Sequence, residues 1–212
     1  MATLSPPTES AAATDPGAQS ADQARAAAVE RVAAEQRVVA AVRVGEQARA
    51  AVDTARRERV ERAARDAVRS ALPGCDTLAP ATTFPNGRWP ESALCGLPGG
   101  GHFLRPDAAA GYVRLSFFYA QVFGGSPCLT DSYRSLAGQR SVAARKPRLA
   151  ARAGTSSHGE GIALDLCGGA EAYGTAQHTW LRENGPRFGW DNPEWARAEG
   201  ARPEPWHWEY SG

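Results

Sequence analysis

Residues 156–169 read SSHGEGIALDLCGG, an apolar run with a carboxylate set into its middle. A carboxylate in apolar surroundings costs on the order of several kcal/mol unless something pairs with it, so Asp165 needs a partner. Read as a β-strand over 161–167, the run alternates. Ile162, Leu164 and Leu166 face the core, while Ala163, Asp165 and Cys167 face the other side. Asp165 then looks over a surface that the small Ala163 keeps open. His158 stands just before the strand, and Gly159 and Gly161 let the backbone turn it toward that surface. A neutral imidazole and a carboxylate converging on one point suit Zn2+; a plain His–Asp hydrogen bond is the alternative.

A catalytic zinc takes three protein ligands and keeps one position open, so a third ligand must come from elsewhere. The stretch EPWHWEY at 204–210 supplies His207, with Glu204 three residues ahead of it. Pro205 bends the chain between them and frees the two side chains from strand alternation. Glu204 can therefore approach the reacting water instead of the metal, which is the place for a general base. The competing reading of Glu204 is a surface ion pair with an arginine. Trp208 and Tyr210 read as core; Trp206 is also a candidate substrate contact.

The rest of the chain limits the function classes. With 212 residues and a net charge of +1, nothing draws it to nucleic acid or to an acidic membrane surface. Lys146 is the one lysine in an arginine- and alanine-rich composition. No apolar run approaches the ~18 residues of a membrane span. Residues 1–20 lack the basic start and apolar centre of a signal peptide, so an export signal is expected outside this chain, or the route is a different one. Four cysteines, Cys75, Cys95, Cys128 and Cys167, show no CxxC spacing, which favours two disulfides and an oxidising compartment. Cys167 shares a strand face with Asp165 and competes formally for the metal, but two residues along a strand is ~6.6 Å. Three pairings are open; Cys75–Cys95 and Cys128–Cys167 are the expected ones.

All 17 aromatic residues lie from Phe84 onward, so a packed core is expected only beyond residue 73. Residues 1–20 read as disordered. Residues 21–72 are mostly strong helix formers, with Val29, Val32, Val39 and Val42 at helical spacing. As one helix the segment would be ~78 Å long; Gly45 offers a point where it can fold into a hairpin. It reads as a coiled-coil-like stalk, a spacer, or a surface for self-association or a partner. Residues 75–212 form the expected catalytic domain, with helices at 105–125 and 171–184, strands at 128–135, 161–167 and 204–210, and a basic loop at 140–155. Helices and strands interleave without strict βαβ repetition, which gives an α+β class.

GTSSHGEGIALDL followed by EPWHWEY resembles the VanY-type zinc D-alanyl-D-alanine carboxypeptidases, of the Hedgehog/DD-peptidase fold. The family pattern Ser-x-His-x-x-Gly-x-Ala-x-Asp and then Glu-x-x-His is complete here. SYRSLAGQ at 132–139 and FGWDNPEWA at 188–196 are similar to further family signatures, with Asp131-Ser132 where Ser-Gly is common. The resemblance implies a small antiparallel sheet with flanking helices. It implies His158, Asp165 and His207 as zinc ligands, Glu204 as base and Arg134 as oxyanion donor. Ser156, Gln139 and Tyr133, with Trp206, are then the substrate contacts. Removal of the terminal D-alanine from peptidoglycan stem peptides, outside the cell or in its envelope, is the implied activity. An endopeptidase cutting within the stem is the near alternative, and a non-catalytic cell-wall-binding module the remote one. His102 and His178 belong to no motif and read as structural or surface.

Overall fold

Alanine, arginine and glutamate carry one uninterrupted helix, α1 (Pro16–Ala71), straight through Gly45, so there is no hairpin. A computed structural model describes residues 16–77, 83–148 and 150–212, the side chains of 16–19 aside. The disorder expected for 1–15 lies outside the described residues; residues 16–20 are helical instead. The chain divides into two compact units, Met1–Glu58 and Arg59–Gly212.

In the first unit the α1 valines stand exposed, Val29 at 69% and Val52 at 67%. In the second unit the last turns of the same helix are core. Ala64 is fully buried, Leu72 is 4% exposed, and Val68 and Ala71 pack against their neighbours. Arg114 reaches Glu61 at 3.2 Å. The compact unit thus begins at Arg59, well ahead of the expected start at 75. Small alanines let these turns approach closely, and no aromatic residue marks them in the sequence.

After α1 come β1 (Cys95–Gly96), β2 (Phe103–Leu104), α2 (Pro106–Phe123), β3 (Cys128–Asp131), α3 (Leu136–Arg145), β4 (Ala163–Cys167), α4 (Ala176–Asn184), β5 (Trp190–Asp191) and β6 (His207–Tyr210). β1 and β2 form a small antiparallel pair; the other strands form an antiparallel sheet in the order β3-β4-β6-β5. This is the expected α+β class. β4 runs through the centre because Leu164 and Leu166 are buried on one face against Tyr112 and Leu115 of α2, Leu181 of α4 and Trp208 of β6. α2 starts at Pro106 and is closed by Gly124 in the left-handed conformation, φ 78°.

Several boundaries differ from the expectation. β3 stops at Asp131 because its register with β4 shifts between Leu129 and Asp131, which sends 132–135 out of the sheet. Residues 140–145, expected in a basic loop, belong to α3, whose start is capped by the Ser135 hydroxyl accepting from the Gly138 amide. α4 starts late, at the Thr175 cap. The terminal strand covers only His207–Tyr210, leaving Glu204 and Pro205 in a turn. Both expected disulfides are present, Cys75–Cys95 and Cys128–Cys167, closing separations of 20 and 39 residues. Loop closure of that length contributes about 3–4 kcal/mol each.

Candidate metal centre

Three elements deliver the central side chains. His158 sits in the short 3-10 turn Ser157–Glu160, which Gly161 closes with φ 70°, a left-handed conformation that favours glycine. Asp165 lies in the middle of β4, and the ladder places it directly opposite His207 at the start of β6. Gly159 is needed for a different reason than the expected turn: a Cβ there would come 2.0 Å from Asn86 Oδ1 and 2.1 Å from Gln139 Nε2. That close approach lets the turn lie flat on its support.

The ligand atoms of His158, Asp165 and His207 all lie within 4.8 Å of one another, so together they could hold a metal ion. Asp165 Oδ1 is 3.4 Å from His158 Nε2 and 3.1 Å from His207 Nδ1. His158 donates Nδ1–H to the Ser132 carbonyl at 2.7 Å, which leaves Nε2 as a lone pair facing inward. The second nitrogen of His207 is likewise occupied, 3.0 Å from Glu209 Oε1. Two imidazoles with their outer nitrogens engaged and one carboxylate fit a divalent ion of zinc type.

Charge is arranged to match. Burial opposes ionisation of Asp165, but hydrogen bonds from His158 and His207 hold its carboxyl far below the usual range. Burial also opposes the positive charge on His207, yet its bonds to Asp165 and Glu209 outweigh that and raise it to about 9. Burial raises Glu204, with His207 and Arg202 pulling the other way.

Glu204 is buried beside this cluster, paired with Arg202 Nε at 3.1 Å, and Arg202 in turn lies over the Trp195 ring, 4.8 Å from its centre. Asn192 ties the turn together, donating from Nδ2 to the carbonyls of Glu204 (3.1 Å) and His207 (2.8 Å). Arg134 is held by Asp131, with Nε 3.1 Å from Oδ2, and its backbone amide donates to the His158 carbonyl at 3.0 Å. A pocket of about 250 Å³ opens over the group, lined among others by Arg134, Ser156, His158, Asp165, Glu204, Trp206 and His207.

A sequence model of the VanY D-alanyl-D-alanine carboxypeptidases matches residues 102–212, more than half of the chain. The chain belongs to the VanY family. Solved VanY structures are similar to it. A point mutant of the vancomycin resistance D,D-pentapeptidase VanY from a VanB-type resistance cassette, in complex with Zn(II), is 26% identical over 56% of this chain and 78% of that one, TM-score 0.46. VanYB in complex with D-alanine–D-alanine is 26% identical over 56% and 77%, TM-score 0.46. The LD-carboxypeptidase LdcB is 24% identical over 59% and 71%, TM-score 0.47. No match was found among curated proteins.

The structure brings most of the expected VanY residues into one pocket and keeps two out. Gln139 is buried at 2% exposure. Its amide donates to Asn86 Oδ1 at 2.8 Å and its oxygen accepts from the Gly154 amide at 2.7 Å. Both ends of the amide are thus engaged inside the protein, and Gln139 is absent from the pocket lining. Tyr133 accepts at its hydroxyl from the Trp89 amide (3.0 Å) and is absent from the pocket lining. His178 is packed between Tyr173 and Trp208, away from the metal group. His102 meets Ser132 Oγ at 3.2 Å, behind the carbonyl that orients His158. Sequence reasoning assigned no role to Asp131, Asn192, Trp195, Arg202 or Ser157. Asp131, Ser157 and the 188–196 stretch stand beside or within the family motifs; Arg202 does not.

Proposed function

We propose that this chain is a zinc-dependent D,D-carboxypeptidase that removes the terminal D-alanine from peptidoglycan stem peptides. The observation that carries the reading is the convergence of two histidines, each with its outer nitrogen engaged, and one aspartate, with a buried glutamate lining the same pocket. Membership of the VanY family supports the substrate class.

His158, Asp165 and His207 would hold the zinc, which when bound supplies Lewis acidity at the scissile carbonyl and makes water more acidic. Glu204 accepts the proton of the attacking water; its burial-raised pKa brings it nearer the working pH, which favours a base that must later give the proton up. The same carboxyl then hands that proton to the leaving amine of D-alanine. Arg134, fixed by Asp131, donates to the carbonyl oxygen as negative charge gathers there. Ser156 and Trp206 line the pocket and are placed to touch the peptide. Two disulfides support a location outside the cytoplasm, in the envelope or beyond it.

Mass spectrometry of purified muropeptides, incubated with the zinc-loaded protein, tests this directly. Loss of one alanine from the pentapeptide stem is the expected result. A cut inside the stem would replace it with endopeptidase activity, and intact muropeptides would leave a binding module.

A further inference from the structure

The two histidines face the metal position with different nitrogens. His158 turns Nε2 inward because its Nδ1–H is given to the Ser132 carbonyl. His207 does the reverse, with Nδ1 toward Asp165 and Nε2 toward Glu209. A main-chain carbonyl fixes the first choice, so no substitution at position 132 removes the acceptor. A side chain fixes the second. Strand alternation puts Glu209 on the same face as His207, two residues along β6, and the ladder pairs Glu209 with Ala163. Ser157, in the turn that carries His158, donates from Oγ to Glu209 Oε1 at 2.8 Å. Glu209 is thus held by both ligand-bearing segments.

We propose that Glu209, steadied by Ser157, is a positioning residue that keeps the proton of His207 on Nε2 and so leaves Nδ1 for the metal. The proposal rests on the metal-site reading above. When zinc displaces one proton from His207, a single proton is left on the ring, and two acceptors compete for it: Asp165 at Nδ1 and Glu209 at Nε2. If Asp165 wins, His207 and Asp165 form an ordinary hydrogen bond and the third ligand is lost. With Glu209 in place, Nδ1 is free to bind. The ring is buried, its centre 5.0 Å from that of Trp195 and 5.1 Å from that of His158.

Zinc affinity, measured by chelator competition on the full chain, tests this without reference to turnover. Glu209→Leu should weaken zinc binding by ~10–100-fold, the usual effect of losing the partner of a metal-bound histidine. Glu209→Gln, which still offers an amide oxygen, should recover much of it, and Ser157→Ala should cost less than Glu209→Leu. Nitrogen chemical shifts of the imidazoles in the zinc-loaded wild type should show His207 bound through Nδ1 and protonated at Nε2. Wild-type affinity in a folded Glu209→Leu protein, or His207 bound through Nε2, would overturn the proposal and leave the metal site standing. A wild-type chain that takes up no zinc would overturn both.

Discussion

The two ends of helix α1 are made of the same residues and meet different fates. Around Val29 and Val52 the apolar side chains lie in water; around Ala64 and Leu72 they are core. Alanine, arginine and glutamate are enough to make the helix at both ends, because propensity is local. What differs is the presence of Tyr112, Leu115 and their neighbours to pack against, and those come from segments far along the chain. The helix shape is local information; a side chain held to a fraction of an ångström needs distant partners. Every residue of the metal centre belongs to the second kind.

Substitutions should respect that division, and the largest effect is expected at a single atom. Glu204→Gln keeps the shape of the side chain and removes its ability to take a proton. Turnover of a pentapeptide should fall by ~10²–10⁴-fold while zinc content and melting temperature stay put. If zinc is lost instead, Glu204 is a ligand and the centre has four protein donors.

Next in size is a truncation. Deleting residues 1–72 removes Ala64, Val68, Ala71 and Leu72 from the core, together with the half-exposed Glu61–Arg114 pair. Burial of the leucine and valine alone contributes about 3 kcal/mol, the ion pair well under one. A melting temperature lower by roughly 10 °C is expected for a unit of this size. An unchanged melting curve would return the boundary to 75.

A proton should report the charge balance of the centre. His207 is raised from 6.5 to about 9, so the metal-free folded chain holds this proton more tightly than the unfolded chain does. The stability it contributes is present below pH 6.5 and is lost as pH rises through about 9. Zinc must displace the same proton. Calorimetry at pH 7 in buffers of different ionisation enthalpy should therefore show about one proton released per zinc bound, and affinity should fall about tenfold per unit as pH drops below 9. No buffer dependence would mean that His207 is neutral before the metal arrives.

The smallest effect sharpens the comparison most. Deleting residues 1–58 should leave zinc affinity, melting temperature and kcat/KM within about twofold or within error, because the compact second unit starts at Arg59. A substantial loss would show that the exposed part of α1 supports the site.

Much of the centre could be read from sequence because its chemistry sits in short, ordered spacings. Alternation alone put Asp165 off the core face, and the glycines around His158 announced a turn. The disulfides could be read because Cys128 and Cys167 lie on two strands that proved to be ladder partners. Gln139 could not, since a motif position says nothing of which way an amide points, and its partners at Asn86 and Gly154 are non-local. α3 is not legible in the sequence, because the run of basic residues in and after it reads as a loop. Glu209 stood two positions from His207, so period-2 alternation already placed them on one face; the contribution of Ser157, 52 residues away, had no local signal.

The Cys128–Cys167 bridge also bears on timing. It closes the ladder in which Asp131 and Asp165 stand opposite each other, so the strand pair that carries one ligand and anchors Arg134 is locked only once the bridge has formed. In a reducing cytoplasm that lock stays open. Reducing the bridge would leave Asp165, and the Asp131 that anchors Arg134, on strands joined by hydrogen bonds alone.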